Sequence, residues 1–551
     1  MSDLAMAKRG RRLATMAPPL WLSGALLFGA IAFASLALIL PNTYTNKYVI
    51  DCFYLLNAGY LVHHGYVPHV DFVWQFGGYE IYLIDWAMRL FGPTFKAIEQ
   101  AIVIGFFICA ALFYCGIARQ ARLATFALLL VLLSATSLTW SPFEDGGAEI
   151  FRHSYSMYYN RLCWALAITC YATVLLSDQP LRQVELFVCA AAAFLILVTK
   201  LTFAILLVPA AAPLLYRNGL KGLLHCALYG IAMIAMGWAV LGYGPEAYMK
   251  APGDLSAVAG VGFIIDWAFR KLFYNSLYNF FGLAIAAGSI AYLWVTRKEG
   301  RWLAIKLSVL AAILPLGMLA TLTTGSLDYF IAATTPMIAF VVIMAADEGL
   351  HREDGEARMF TIALAVYALT FMTPYLMNVL VGLRGQARGG ELSLFKSGTL
   401  AGLIVERPET SQTPLFTRPS IAIKKIGDRL HLEQSARWMG DYEWQYAHAD
   451  GLALLSRLPN IRQRKVLSFY SSTWPFVLQS QPVLSFPLGA SHESPIMKAL
   501  NAIPADIDTV LVLRDDRTNE LHSRFLPSLR QQFDIQDRST MWDLYIRRPS
   551  V

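Results

Sequence analysis

The 551 residues predict a polytopic α-helical membrane protein with an appended α/β domain, and three observations carry that prediction. Hydrophobic residues make up 56% of the chain and charged ones only 15%, against about 25% charged in ordinary soluble domains. Apolar runs of about 20 residues, enough for a helix to cross the hydrocarbon core, recur between residues 20 and 382. After residue 384 they give way to short apolar segments alternating with helical patterns. This balance excludes a disordered chain and a plain soluble enzyme. No Lys/Arg run is long enough for nucleic-acid binding, despite a net charge of +7.

About eleven spans are expected, near 20–41, 96–117, 123–140, 161–177, 184–199, 201–216, 222–243, 278–296, 302–321, 329–346 and 359–382. The fifth and sixth are short and separated only by Lys200. Lys8, Arg9, Arg11 and Arg12 precede the first apolar run. That run exceeds the roughly 7–15 residues of a signal core and no small-residue cleavage site follows, so a retained first helix is expected. With the N-terminus cytoplasmic, Arg119, Arg122, Arg182, Arg217, Lys221, Arg297, Lys298 and Arg301 fall in short cytoplasmic loops. This asymmetry fixes orientation, and an odd span count places the C-terminal part outside the cytoplasm. The expected setting is the inner (plasma) membrane. Of seven Cys, only Cys52 falls in an aqueous loop, and there is no CxxC, so neither disulfides nor a zinc site are expected.

The chain thus divides into a membrane domain, 1–383, and an extracytoplasmic (periplasmic) α/β domain, 384–551. Strand-like runs at 466–470, 510–513 and 542–546 alternate with helical patterns at 442–458 and 517–533. The Gly- and Arg-containing stretch 384–390 reads as a flexible exit from the membrane.

The loop between the first two spans is the most informative segment. Tyr54, Leu55, Ala58, Leu61 and Val62 recur at helical spacing, with Gly65 where a left-handed C-cap belongs. Ile81, Leu83, Ile84 and Met88 form a second apolar face, stopped by Gly92-Pro93. Two short amphipathic helices lying in the membrane surface are expected. Asp51 opens the first, where the helix dipole favours a carboxylate. It reads either as the cap of that helix or as an acid placed to meet a lipid-anchored and a water-soluble reagent together.

The acidic residue after the first span, the two surface helices, the Gly65/Pro68/Asp71 segment and the Leu90-Phe91-Gly92 ending resemble the GT-C superfamily of membrane glycosyltransferases. That superfamily includes the protein mannosyltransferases and the lipid A aminoarabinose transferases. The likeness is sharpest over residues 45–95 and extends through topology to about residue 382. One position departs from it: Asp51-Cys52 stands where protein mannosyltransferases have Asp-Glu.

The resemblance implies transfer of a sugar from a polyprenyl-phosphate donor to an acceptor hydroxyl on a glycan, lipid or protein, with inversion. It makes Asp51 the candidate base and Asp71 an acceptor-orienting or assisting carboxylate, or else a turn residue. Arg152, Arg161, Lys200, Arg270 and Lys271 are candidate ligands of the donor phosphate, with helix-end anchoring as the alternative. Tyr54, His63, Glu80, Asp145, His153, Tyr158 and Tyr159 are candidate sugar or acceptor contacts. Glu80 and Asp85 also read as polar positions of the second surface helix. His63 and His64 project about 100° apart on a helix and cannot easily share an ion, so with His69 they read as polar-face residues. A divalent cation (Mg or Mn) held by Asp51 with Glu144 or Asp145 is the one cofactor in view. A lipid-linked glycan flippase, or a polysaccharide polymerase or ligase, is the competing reading. The chain shows no paired halves of the kind transporters use, and polymerases usually place the large loop later.

Overall fold

The computed structural model describes residues 20–45, 49–72, 74, 76–138, 153–155, 157–249, 280–296, 300–321, 335–349, 355–388, 395, 397–404, 441–468, 473–483, 503–513 and 520–549. The protein is mostly helical. The helices of its bundle are α1 (Leu20–Ile39), α4 (Ala97–Ile117), α5 (Leu123–Leu138), α6 (Tyr158–Leu175), α7 (Gln183–Thr199), α8 (Ala211–Leu241), α10 (Phe280–Val295), α11 (Arg301–Thr321), α12 (Thr335–Gly349) and α13 (Gly355–Arg388). Between them lie the loop helices α2 (Val49–His63), α3 (Tyr79–Phe91) and α9 (Pro245–Tyr248). Five helices among the described residues are long and apolar enough to cross a bilayer, and α2, α5, α7 and α10 are shorter apolar helices. This is an integral membrane protein.

The sixth expected span is not a continuous α-helix. Residues Leu201–Leu207 form a 3-10 segment, and α8 starts at Ala211 and is broken at Gly219, whose φ is +60°. The 3-10 rise of about 2.0 Å per residue, against about 1.5 Å in an α-helix, lets a short segment reach further. Only glycine takes Gly219's conformation at little cost, so the chain breaks direction there. Away from α2 and α3, Lys306 is fully buried with Glu348 (2.8 Å) and Asp347 (3.6 Å), and Thr125 donates to Asp347 (2.6 Å). That cluster ties α5, α11 and α12 together.

Two expectations about the loops are corrected. The helix α2 does not lie in a surface with one face wet: from Cys52 to Val62 every residue but the half-buried Tyr54 is buried. Its sequence gives the reason, because Asp51 is its only acidic residue and no Lys or Arg offers a charged face; a helix apolar all round is buried. The expected flexible exit is also absent through residue 388. α13 runs unbroken to Arg388, and its Gln386, fully buried, donates to the Glu99 carboxylate while its backbone carbonyl accepts from Asn42 (3.0 Å).

Beyond the membrane helices, β1 (Thr43–Tyr44) pairs in parallel with β2 (Leu403–Ile404), joining the segment after α1 to the segment after α13. A four-stranded sheet follows, ordered β3 (Val466–Ser468), β4 (Thr509–Leu513), β6 (Trp542–Arg547), β5 (Phe533–Arg538), with β3–β4 parallel and the other pairs antiparallel. Helices α14 (Asp441–Leu455), α15 (Trp474–Leu478) and α16 (Glu520–Gln532) complete this region. β4 is buried at all five positions, as an apolar central strand should be. One sheet face packs Val510, Val512 and Tyr545 against Phe525 and Leu529 of α16. The other face, through Leu511, Trp542 and Leu544, belongs to the same continuous core as the membrane helices.

Candidate functional site

The site is assembled around the short stretch His153–Tyr155, which three separate elements meet. Just before α2, Thr45 Oγ1 donates to the His153 carbonyl (3.1 Å), and the Tyr44 ring meets the His153 ring edge-on at 4.9 Å. From the first turn of α6, Arg161 Nη2 donates to the Ser154 carbonyl (3.2 Å). Tyr155, fully buried, lies within electrostatic reach of Cys52 on α2, Glu99 on α4 and Arg161 on α6. Asp51, half-buried in the first turn of α2 as its sequence position predicts, therefore adjoins a residue that shares Tyr155 with Arg161.

Lys200 sits where α7 ends and the 3-10 segment begins, with extended backbone (φ −156°, ψ 109°). Its ammonium donates to Asn160 Oδ1 (2.9 Å) and faces the rings of Tyr159 (5.1 Å), Phe203 (5.4 Å) and Phe76 (5.8 Å). Aromatic faces attract a cation through their quadrupoles, more so when water is excluded; Lys200 is only 3% exposed. Phe76 is placed by its own stack on Tyr159, 4.1 Å between centroids, and by the glycines that follow it. Gly77 N–H donates to the Thr199 carbonyl (2.9 Å) and Gly78 N–H to the Tyr243 hydroxyl (3.1 Å).

A Cβ on Gly77 would stand 1.9 Å from the Val198 carbonyl oxygen, a backbone atom that cannot step aside. Gly77→Ala is therefore expected to lift this loop from α7 and cost about 1–3 kcal/mol, the usual range for overpacking. Thermal unfolding in detergent measures it, and an unchanged midpoint would refute the close approach.

Glu80, Tyr158 and Arg161 form the layer beneath. Glu80, in the first turn of α3, is 3% exposed rather than on a wet helix face. Burial pushes its carboxyl up to about 8, outweighing Arg161 and the Tyr159 backbone N–H, which both favour the ionised form. The Arg161 guanidinium also lies 5.5 Å from the Tyr158 ring centroid. In the unfolded chain Glu80 ionises at the ordinary carboxylate value, whereas the folded chain keeps its proton to about 8. The resulting stability is complete below the unfolded value, falls as pH rises between the two, and is gone above the folded one. Glu80→Gln should abolish this decline, so wild-type and variant melting curves should separate as pH rises from about 5 to about 8.5. Parallel curves would mean Glu80 is ionised throughout.

The remaining candidates fall elsewhere. Asp71 is exposed, and its Oδ2 accepts the Val67 N–H (2.7 Å), closing the turn that carries Pro68. His63 Nδ1 is 3.1 Å from Asp85 Oδ1, and Arg89 Nε approaches the same carboxylate at 2.8 Å, so Asp85 is buried and paired, not a wet polar position. His69 is likewise not on a polar face. It is buried between Tyr243 and Tyr248, and burial lowers it to about 4. Burial lowers His153 to about 3, so its ring is neutral at ordinary pH. Tyr54 stacks on Trp74 at 5.3 Å. Glu144, Asp145, Arg152, Arg270 and Lys271 lie outside the described residues.

Sequence reasoning passed over Asn160, Phe76 and Phe203 as partners of Lys200, and Glu99 with Gln386 beside Tyr155. Asn160 was within reach, standing in the same polar run as Arg161. Phe203, three residues after Lys200, reads in sequence only as part of an apolar run, and the others carry no local signal because each acts across a long separation.

No family model matches this chain, and a search of curated proteins gives no match. Solved structures similar to it include ArnT from Cupriavidus metallidurans in the apo state and the same protein bound to undecaprenyl phosphate. Each is 12% identical with a TM-score of 0.40, over 95% of this chain and 97% of that one.

Proposed function

We propose that this protein is a membrane glycosyltransferase that moves a sugar from a polyprenyl-phosphate donor to an acceptor hydroxyl at the extracytoplasmic face. The observation that carries the reading is the convergence on His153–Tyr155 of the helix bearing Asp51 and the helix bearing Arg161, with Lys200 bound to the adjacent Asn160. A carboxylate carried by one of these helices and two cations around the same stretch are the kinds of group that this transfer requires.

The polyprenyl tail keeps the donor in the bilayer, each buried methylene contributing about 0.8 kcal/mol. Lys200 holds the donor phosphate, and Arg161 adds positive potential from one layer deeper. Tyr159 lines the sugar, backed by Tyr158 in the layer beneath. The acceptor oxygen attacks the anomeric carbon opposite the phosphate and Asp51 takes its proton. The bond from that carbon to the phosphate oxygen breaks and its electron pair leaves with the phosphate, so configuration inverts. Asp71, engaged in its turn, is given no proton transfer. A divalent cation with Asp51 and Glu144 or Asp145 belongs to the proposal, but no step is routed through it. Among the described residues no group of three or more His, Cys, Asp or Glu side chains is placed to hold a metal.

Purified protein in detergent, given synthetic polyprenyl-phosphate sugars of either anomeric form, should release polyprenyl phosphate and yield an inverted glycoside. Absence of transfer from every donor, together with movement of labelled donor across vesicle membranes, would assign the chain to transport instead.

A further inference from the structure

The far side of α2 is covered by the C-terminal region, and the contact is specific. Phe53, fully buried, is held between Phe95 (5.4 Å, 72°) and the imidazole of His448 on α14, which stacks on it at 4.0 Å with only 6° between planes. His448 Nε2 and Thr473 Oγ1 are hydrogen-bonded at 2.7 Å, and the Trp474 ring lies 5.2 Å away. Trp474 in turn meets Trp542 of β6, whose indole N–H donates to the Ala447 carbonyl (2.7 Å). About two helical turns further along α2, the Tyr60 hydroxyl donates to the Ser480 carbonyl (3.1 Å).

Two residues of helix turn by about 200°, so the side chain at 51 leaves α2 on nearly the opposite side from Phe53. Whatever fixes the Phe53 ring fixes the azimuth of Asp51. We propose that His448 is a positioning residue: its stack on Phe53 clamps the first turn of α2 and so sets the direction of the carboxylate at 51. The C-terminal region is then part of the catalytic unit through α2, and not solely an acceptor-binding appendage. This inference rests on the reading of Asp51 as the base.

The test has one arm that needs no turnover. In the full-length protein, His448→Ala should speed amide hydrogen exchange at residues 49–53, and His448→Phe, which keeps a flat ring, should restore protection. Unchanged exchange in His448→Ala overturns the clamp whatever the enzyme's activity. In the transfer assay His448→Ala should lower kcat about 10- to 100-fold, the scale on which sub-ångström to ångström misplacement acts. The donor KM and polyprenyl phosphate binding should be unchanged, and His448→Phe should recover most of the rate. In an Asp51→Asn background the His448→Ala loss should disappear; losses that simply multiply would show that His448 acts elsewhere. If His448→Ala does not fold, Phe53→Leu, which stays apolar but loses the stack, carries the same comparisons. Full turnover by Asp51→Asn, seen before His448 is altered, would instead remove the reading of Asp51, while the exchange arm still judges the clamp.

Discussion

Asp51→Asn is expected to lower kcat by about 10²- to 10⁴-fold, the range attributable to a positioned general base. Asparagine keeps the side chain's size and a hydrogen-bonding oxygen, so the first turn of α2 stays intact and only the proton acceptor is lost. The donor KM and the affinity for polyprenyl phosphate should therefore not change. This separates catalysis from the helix-dipole role that the position also favours: an N-terminal carboxylate contributes typically 0.3–1 kcal/mol of stability and nothing to turnover. A variant with wild-type kcat and a lowered melting temperature would leave Asp51 a purely structural residue.

Lys200→Met should weaken polyprenyl phosphate binding by about 10- to 100-fold. A hydrogen bond to a charged partner is worth about 1.5–3 kcal/mol, and each 1.4 kcal/mol is tenfold in affinity. Methionine nearly matches the lysine stem in length and is at home among aromatic rings, so the pocket of Phe76, Tyr159 and Phe203 should remain filled. The comparison ligand is the polyprenol without phosphate, whose binding should be the same in wild type and variant. Equal loss for both ligands would make Lys200 a packing residue at the head of the 3-10 segment, and no loss for either would remove it from the donor site.

The helical frame was legible in the sequence because its signal is local. The first apolar run was expected at 20–41 and α1 spans Leu20–Ile39; the span expected at 96–117 is α4, Ala97–Ile117. The strand-like runs at 510–513 and 542–546 lie within β4 and β6 for the same reason. β5 was not legible. Its residues Phe533–Arg538 are mostly polar and exposed, and an edge strand held by backbone pairing to β6 needs no alternating apolar pattern. The sixth span was misread because hydropathy reports that a segment is apolar, not whether it turns as 3-10 or α.

For the candidate site the division is sharper. Asp51 at the head of a helix, Arg161 at the start of another and Lys200 between two apolar runs were all readable as unusual residues in apolar surroundings. Which of them meet was not, since Lys200 reaches Asn160 across 40 positions and Gln386 reaches Glu99 across 287. The misjudged residues were the polar ones of the loop helices. Glu80, Asp85 and His69 were placed on wet faces and are buried, because whether a polar residue is covered depends on which other segments pack over it.

By itself the sequence determined that this chain lives in a bilayer, where its helices run and which loop carries unusual chemistry, because hydropathy and helix-capping act over a few neighbouring residues. Only the tertiary structure decided that α2 is enclosed, that Arg161 and the helix carrying Asp51 both meet the His153–Tyr155 stretch, and that His448 stacks on Phe53. Those facts depend on which surfaces exclude water from one another, and that is settled by packing between segments hundreds of residues apart.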